Sequence, residues 1–393
     1  MAKKNTARGA QGGGTIRKKT VTRNGKDYTF WEARVTVGRD PGTGKQVQRS
    51  FSGKTQKEVR EKMQAAAVAV NHGTYAEPSK LTVGAWLDIW VKDYLVGLKP
   101  ATAYIYGANV KNHIKPALGA VKLSALHPHM VQDFVNGLDS LSAASVHLAY
   151  KVLHQALEKA VSLGYLTKNP ATGCELPRPS QKEITPLDDK QAAALLKASK
   201  GAPVDSLITA ALFTGCRLSE LLGLTWDAVD FARGAITINK QLARPEYRKD
   251  GPFIAPKNGK SRTINPAPSV LASLKHQKRR QSEIQLKAGP AWNNSHGLVF
   301  TDEAGGPLNQ SWAERAFAAV LASAGLEGIR FHDLRHTYAV NAIRAGDDIK
   351  TIQGNLGHAS AAFTLDRYGH FTERMKRDSA DRMEAFMKGV LDL

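Results

Sequence analysis

The hydrophobic pattern changes its period along the chain, and this change constrains the fold more than any other feature of the sequence. Apolar and polar residues alternate in three runs, at 15–22, 27–37 and 46–51. Alternation with a period of two is typical of strands with one buried face, and Asn24-Gly25 between the first two runs is a strong hairpin signal. From residue 82 onward, apolar residues recur every three or four positions, which is the helical period. We therefore predict a mainly α-helical, multidomain (α+β) protein with an amino-terminal three-stranded antiparallel sheet.

The segment after the third run predicts a helix that covers one face of this sheet. Thr55-Gln56-Lys57-Glu58 has the pattern of a capping box, and the apolar residues of 59–70 follow helical spacing. The other face then stays open, and we expect it to carry several of the basic strand residues, which are Arg17, Lys19, Arg23, Arg34 and Arg49. Since sheets can enter the major groove, this face is a candidate DNA-binding surface. A small module that binds protein, or a charged face that is only solvated, is the alternative.

The helical part of the chain divides at a linker. Residues 82–94 carry one apolar stripe, and further helices are predicted at about 101–115, 127–138 and 143–163. Prolines, glycine and polar residues at 169–180 are typical of a linker, and beyond it a strand-rich insert is expected at about 233–265. We predict three domains, at residues 1–75, 81–178 and 185–393.

Positive charge is concentrated in the first fifth of the chain. The net charge is +20, and residues 1–80 contain 17 Lys and Arg against 6 Asp and Glu. An excess of this size favours a polyanionic partner, because a protein that neutralises phosphates releases their condensed counterions. A solubilising tail is the alternative interpretation.

The remaining composition argues against secreted and membrane proteins. Cys174 and Cys216 fit neither a disulfide framework nor a zinc spacing. The basic start is followed by polar and glycine residues rather than by an apolar segment, so it is not a secretory signal. No run approaches the about 18 apolar residues that span a bilayer. We expect a cytoplasmic protein that does not associate with membranes.

Four motifs carry the residue types that phosphodiester chemistry needs. In Phe331-His332-Asp333-Leu334-Arg335 the imidazole and the guanidinium are three apart, so on a helix they share one face. A guanidinium binds phosphate through two parallel hydrogen bonds, and an imidazole exchanges protons near neutral pH. Arg217 opens a helical run, where backbone N–H groups favour an anion. The other two motifs are Leu356-Gly357-His358 and the segment that ends at Tyr368.

A metal site is the alternative interpretation of the segment at residues 331–336. His332 and His336 are four apart, the spacing of two zinc ligands on one helix. A zincin motif requires Glu where this chain has Asp333, and the cation of Arg335 would oppose a metal ion. We therefore do not predict a metal.

The ordered series of motifs resembles the tyrosine recombinases, in particular phage-type and conjugative-transposon integrases. The resemblance implies a site-specific DNA recombinase that works through a 3′-phosphotyrosyl intermediate, without metal, ATP or another cofactor. It implies that Tyr368 is the nucleophile and that Arg217 and Arg335 stabilise the charge on the phosphate. A phenol has a reference pKa near 10, so nearby cations must favour the phenolate. The remaining implied roles are proton movement by His332, a phosphate hydrogen bond from His358, and orientation of the first arginine by Glu220.

The same resemblance implies a lysine on a β-turn that protonates the leaving 5′ oxygen. The chain offers Pro256-Lys257-Asn258 where the family usually has Pro-Lys-Thr, and Lys260 follows shortly after. Lys257 aligns better with the family pattern, and Lys260 is the alternative.

The resemblance extends, with less specific motifs, to the rest of the chain. Residues 1–75 resemble an arm-binding domain and residues 81–178 a core-binding domain, which implies double-stranded DNA with core and arm attachment sites. It also implies a homo-oligomer, a tetramer on DNA, and a host DNA-bending protein and an excision factor as partners. The last helix is expected to carry an apolar face for a neighbouring protomer, or for the chain's own core, made of Met375, Ala380, Met383, Phe386, Met387 and Val390.

Two other functions fit parts of this pattern. A topoisomerase of the type IB class uses the same phosphotyrosine chemistry, but the separate amino-terminal domain makes it the less favoured choice. A catalytically silent DNA-binding regulator is disfavoured because each catalytic position is filled by a suitable residue.

Overall fold

Three antiparallel strands begin the chain, in the order β1-β2-β3. They are β1 (Thr15–Arg23), β2 (Lys26–Arg39) and β3 (Gln46–Gly53). The predicted strands are confirmed, and Gly25 in the first turn has a φ of +72°, which glycine adopts without strain. The structure is a computed structural model that describes residues 14–23, 25–39, 43–71, 81–179, 185–247, 251–358, 360–368 and 373–391.

Helix α1 (Gln56–Asn71) covers one face of the sheet, as predicted. Thr55 Oγ1 accepts the N–H of Glu58 at 3.2 Å, and the Glu58 carboxylate accepts the N–H of Lys54 at 3.0 Å. In a capping box this carboxylate would accept the N–H of Thr55. Here it accepts the N–H of Lys54 instead, one residue nearer the sheet. Ala33 and Val35 of β2 are buried together with Val59 of α1.

Strand register decides which basic residues reach the open face. Residues paired directly across antiparallel strands project to the same side. Arg17 pairs with Glu32, and Arg34 pairs with Thr15, on the side opposite the buried Ala33. Arg49 pairs with Val35, which is a core residue on the helix side. The assignment of Arg49 to the open face is therefore wrong.

Lys19 pairs with Phe30, which has the same strand parity as Glu32, so Lys19 also belongs to the open face. The side chain of Arg23 lies outside the described residues. Three of the five basic residues that the sequence singled out, Arg17, Lys19 and Arg34, thus share the open face.

A helical bundle follows. Helix α2 (Val83–Tyr94) is capped by Thr82, whose hydroxyl accepts the N–H of Ala85 at 3.2 Å. Trp86 and Trp90 are buried at the predicted spacing, and the Trp86 indole N–H donates to the carbonyl of Ala156 at 2.9 Å. A π-helical turn at Val110–Ile114 joins the third and fourth helices. The other helices are α3 (Pro100–Asn109), α4 (Lys115–Leu118), α5 (Pro128–Asn136) and α6 (Ala143–Ser162).

The chain divides into two compact units, Met1–Ser180 and Gln181–Leu393. In the second unit, short strands form a sheet of order β4-β5-β8 and a separate β6-β7 pair, within the predicted insert. The strands are β4 (Val229–Asp230), β5 (Ala235–Ile238), β6 (Gln241–Leu242), β7 (Phe253–Ile254) and β8 (Arg262–Ile264).

Helices make up most of the second unit and enclose its core. The core joins residues of the helices and strands from Leu187 to Leu334, and a second apolar cluster lies between the later helices. The helices are α7 (Asp189–Ser199), α8 (Asp205–Thr214), α9 (Leu218–Leu222), α10 (Pro268–Ala288), α11 (Gln310–Ser323), α12 (Asp333–Ala345), α13 (Ile349–Leu356), α14 (Ala361–Tyr368) and α15 (Glu373–Leu391). The mainly helical α+β architecture is as predicted. Within the part of the chain described, each helix lacks the length or the apolar character of a bilayer-spanning segment.

Candidate active site

A tight turn between α8 and α9 presents the first arginine. Gly215 ends α8 with a φ of +65°, and a Cβ atom there would overlap Tyr338 and Leu356. Only glycine fits this close approach. Arg217 then caps α9, and its backbone N–H donates to Glu220 Oε2 at 2.9 Å while Nη1 donates to Oε1 at 2.8 Å. The turn therefore fixes both the main chain and the guanidinium of Arg217.

Glu220 is the buried anion of the site, with 0% of its side chain exposed. Arg262, at the start of β8, donates Nη1 to Oε1 at 3.0 Å and Nη2 to Oε2 at 2.6 Å. Burial alone would raise the pKa of Glu220, but the hydrogen bonds and charges of Arg262 and Arg217 hold this pKa at about 2. The carboxylate is thus ionised at neutral pH and orients two guanidinium groups.

Arg262 was not predicted as a site residue. Its Nε also donates to the carbonyl of Asn355 at 2.7 Å, so the side chain joins β8 to the end of α13. The only sequence signal was its position in the strand after the candidate lysine turn.

Arg335 is buried on α12 and joins three segments. Its Nη1 donates to the carbonyl of Gly215 at 2.6 Å and Nη2 to that of Leu356 at 2.5 Å. Burial, followed by the positive charge of Arg217, lowers the pKa of Arg335 to about 10, so the guanidinium stays protonated at neutral pH. The Arg217 turn, the motif at residues 331–335 and the motif at residues 356–358 therefore meet around this side chain.

His332 faces a cavity of about 200 Å³ that Arg217 also lines. This volume is several times the about 30 Å³ of a water molecule. Burial, and then the charges of Arg335 and Arg217, lower the pKa of His332, which favours a neutral imidazole. The cavity thus combines a cation with a neutral proton carrier.

His358 lies at the same group of charges. Burial, then the charges of Arg335 and Arg217, lower its pKa to about 3. Its Nδ1 is 2.9 Å from the hydroxyl oxygen of Thr364. The preceding Gly357 has a φ of +64°, and a Cβ atom there would press on Arg262. Like His332, His358 is a neutral imidazole beside the arginines.

The candidate lysine lies on a turn that is anchored to this region. The N–H of Gly259 donates to the carbonyl of Pro256 at 2.7 Å, which closes the turn. Asn258, which replaces the family's threonine, donates its side-chain amide to the carbonyl of Gly357 at 2.9 Å. Lys257 is therefore next to an anchored residue adjoining the His358 segment, whereas Lys260 follows the turn. Both lysines are exposed.

Tyr368 ends α14 and is only 1% exposed. Its hydroxyl is 2.6 Å from Nδ1 of His336, and its ring is stacked on that of His358 with 6.4 Å between ring centres. The ring packs with Ile352 and Leu356 in an apolar cluster. The sequence had offered His336 only as a metal ligand. Its position one turn after His332 was the signal for a role in the same site.

Six predicted residues are thus brought to one region of the second unit. The arginines, His332, His358 and Glu220 are linked by hydrogen bonds or shared charge effects, and Tyr368 stacks on one of the imidazoles. Among the residues that the structure describes, no three His, Cys, Asp or Glu side chains are grouped as metal ligands. The arrangement can bind a phosphate by its cations and transfer protons through imidazoles.

Three basic residues of the amino-terminal sheet lie around the carboxylate of Glu32. Arg17 Nη2 is 2.6 Å, Lys19 Nζ 3.3 Å and Arg34 Nε 3.7 Å from the Glu32 carboxylate. The hydrogen bond from Arg17 is the main cause that lowers the pKa of Glu32. Because three cations lie around one anion, this open face has excess positive charge.

The carboxy-terminal helix leaves its apolar residues uncovered. Ala380, Met383, Phe386, Met387 and Val390 are all exposed in α15, while the side chain of Met375 lies outside the described residues. The structure therefore does not dock these five residues on the chain's own core.

Comparison with known proteins is consistent with this site. The model of the "Phage integrase family" matches residues 186–375, and that of the "Phage integrase, N-terminal SAM-like domain" matches residues 82–138. The chain is 29% identical to a "Tyrosine recombinase XerC-like" protein of Caldanaerobacter subterraneus, covering 93% of this chain and 98% of the relative. It is 30% identical to "Tyrosine recombinase XerD" of Corynebacterium glutamicum, covering 63% of this chain and 78% of the relative.

Solved structures share the fold. The Tn1549 transposon integrase in complex with circular intermediate DNA has a TM-score of 0.63 at 19% identity, covering 77% of this chain and 99% of that one. The lambda integrase tetramer bound to a Holliday junction has a TM-score of 0.59 at 20% identity, covering 85% and 92%. The ordered motifs, the fold and these matches together identify the chain as a member of the phage integrase family, a tyrosine-type site-specific recombinase.

Proposed function

We propose that this chain is an integrase that cleaves and rejoins double-stranded DNA of a mobile element with Tyr368 as its nucleophile. The observation that carries the proposal is the convergence of two guanidinium groups, two neutral imidazoles and a phenol on one region. A scissile phosphate in the cavity beside Arg217 receives hydrogen bonds from cations held in place before it arrives.

The reaction conserves the phosphodiester bond energy. The Tyr368 oxygen attacks phosphorus while its proton leaves, the bond from phosphorus to the 5′ oxygen breaks, and a 3′-phosphotyrosyl bond forms. Arg217 and Arg335 stabilise the charge on the non-bridging oxygens, and His358 donates to the same phosphate. His332 assists the proton transfer at the tyrosine. Ligation is the reverse, with a 5′ hydroxyl of another strand as the attacking group.

Lys257 supplies the proton to the leaving 5′ oxygen. The turn that carries it is anchored by Asn258 next to His358, which supports Lys257 over Lys260. Glu220 orients Arg217, which is supported by their two hydrogen bonds.

Residues 1–75 form the arm-binding domain, 81–178 the core-binding domain and 185–393 the catalytic domain. The excess positive charge of Arg17, Lys19 and Arg34 supports arm-site binding by the open sheet face. Arg23, whose side chain lies outside the described residues, stays a predicted DNA contact. The core site is double-stranded DNA, by analogy with relatives whose solved structures contain it.

The active form on DNA is a homotetramer. The exposed apolar residues of α15 support this, since a free monomer leaves them in water. The lambda integrase forms a tetramer on a Holliday junction. A host DNA-bending protein and an excision factor complete the assembly, and the cytoplasm is its compartment.

A suicide substrate tests the proposal. DNA from the region flanking the gene, nicked near the crossover, is incubated with the protein and separated on a denaturing gel. We expect a covalent adduct with the wild-type chain and none with Tyr368→Phe. An adduct that persists in the variant, or none with either protein, refutes the proposal. Relaxation of supercoils by monomers without sequence preference would instead indicate a topoisomerase.

A further inference from the structure

We infer that His336 is a further catalytic residue, the immediate acceptor of the Tyr368 proton during cleavage and its donor during ligation. The inference rests on the proposed function, because it requires Tyr368 to be the nucleophile. It concerns a histidine outside the set that the resemblance supplied.

The contact involves the reacting atom itself. Nδ1 of His336 is 2.6 Å from the Tyr368 hydroxyl oxygen, which is within the usual range of a strong hydrogen bond. Both residues are buried, so the pair is shielded from bulk water. A general base must lie within hydrogen-bond reach of the proton it removes, and His336 already does so before DNA binds.

His336 contacts both the phenol and His332, a residue that lines the cavity. Its ring is 5.0 Å, centre to centre, from that of His332 and meets it edge-on, while His332 lines the cavity with Arg217. The Tyr368 hydroxyl is thus hydrogen-bonded to His336, whereas His332 lines the cavity. These contacts assign proton acceptance to His336 and leave His332 to assist from the cavity side.

Charged and titratable neighbours surround the pair on several elements. Asp333 and Arg335 lie on α12 with His336, and His358 stacks on the Tyr368 ring from the segment after α13. Burial, and then the charges of Arg335 and Arg217, lower the pKa of the neighbouring His332 and His358.

The step is balanced in protons and electrons. With its resting proton on Nε2, neutral His336 accepts the phenol proton at Nδ1 and becomes an imidazolium. The phenolate electron pair forms the bond to phosphorus, and the departing 5′ oxygen receives a proton from Lys257. In ligation the imidazolium returns its proton to the tyrosine oxygen as the phosphotyrosyl bond breaks.

The experiment measures single-turnover adduct formation on the suicide substrate with the full chain. Wild type and Tyr368→Phe test the proposed function, and His336→Asn tests the inference. General base catalysis contributes about 10²–10⁴-fold, so we expect His336→Asn to slow adduct formation by about 10²-fold or more while DNA binding is retained. His276→Asn, an exposed histidine of α10, is the matched control and should react at the wild-type rate. His336→Gln is the second variant should His336→Asn fail to bind DNA.

Two substrate and side-chain changes separate proton transfer from a structural effect. A fluorinated tyrosine at 368 ionises more readily, so it should recover most of the rate lost in His336→Asn. A substrate with sulfur as the bridging 5′ atom needs no leaving-group proton, so it should rescue Lys257→Ala but not His336→Asn.

The outcomes are distinct. An adduct with wild type, together with a wild-type rate in His336→Asn, overturns the inference and leaves the proposed function intact. A defect that the fluorinated tyrosine does not reduce also overturns it, because His336 then acts only through packing. Absence of an adduct with wild type refutes the proposed function, and the inference with it.

Discussion

Two regions of the molecule use the same motif, a buried carboxylate surrounded by cations, but the cations differ in their exposure. In the second unit Glu220 is fully buried between Arg217 and Arg262, and the Arg262 side chain is 10% exposed. On the amino-terminal sheet the Glu32 side chain is 9% exposed, but the Arg17 side chain that approaches it is 54% exposed. Burial makes the first cluster a rigid part of the fold, whereas water and salt screen the second. Under the proposed function, the first cluster positions groups for chemistry and the second supplies charge for a large polyanion.

The largest expected effect is on stability, from removing the buried anion. Glu220→Ala leaves the Arg262 guanidinium uncompensated, and breaking a buried ion pair in this way costs about 3–5 kcal/mol. Chemical denaturation of the wild-type chain and of Glu220→Ala measures the loss in free energy of unfolding. Glu32→Ala is the matched control and should change stability far less. Equal losses in the two variants would remove the distinction between the clusters.

The next largest effect should be the loss of stability in acid, when Glu220 is protonated. The pKa of Glu220 is about 2 in the folded protein against 4.5 for the free side chain. Because the folded pKa is the lower one, its stabilisation is present above pH 4.5 and is lost as pH falls toward 2. The pKa difference corresponds to about 3 kcal/mol. Denaturation at pH 2, 3, 4 and 6 tests this, and a Glu220→Gln chain should lack this part of the acid dependence.

Salt should affect the exposed cluster more than the buried one. Removing a residue that contacts a phosphate lowers the slope of log affinity against log salt by about 1. We expect Arg17→Ala to flatten the slope for long DNA carrying arm sites and to leave adduct formation on a core site unchanged. Binding titrations from low to high salt measure the slope. An unaltered slope argues against the arm role of the sheet.

The smallest expected effect concerns Arg49. This residue pairs with Val35 on the helix side, so Arg49→Ala should leave the salt dependence of binding unchanged, in contrast to Arg34→Ala. The same titrations compare the two variants. A slope that falls in Arg49→Ala would mean that this side chain reaches DNA around the sheet edge.

The sequence predicted the elements and the catalytic motifs because both are local patterns. The strands at the amino terminus, the capped start of α1 and the spacing of His332 and Arg335 depend on neighbouring residues only. The strand pattern also predicts the face of Arg49, since Arg49 alternates in phase with the apolar residues Val47 and Phe51. This phase places Arg49 on the helix side with Val35, and its positive charge does not indicate the face.

Long-range partners could not be predicted in this way. Arg262 meets Glu220 across 42 positions of the chain, and His336 meets Tyr368 across 32. No periodicity encodes such contacts, since they depend on how α12, α14 and β8 pack. The spacing of His332 and His336 left a metal site only as an alternative, and helix geometry alone does not reveal that His336 contacts Tyr368.

The burial of Tyr368 makes the proposed nucleophile a member of an apolar cluster with Ile352 and Leu356. The same ring therefore helps to keep α12, α13 and α14 together. Exposure of the phenol to a phosphate and loosening of these helices become a single event. Under the proposed function, a mutation that tightens this cluster should make the recombinase both more stable and slower in cleavage.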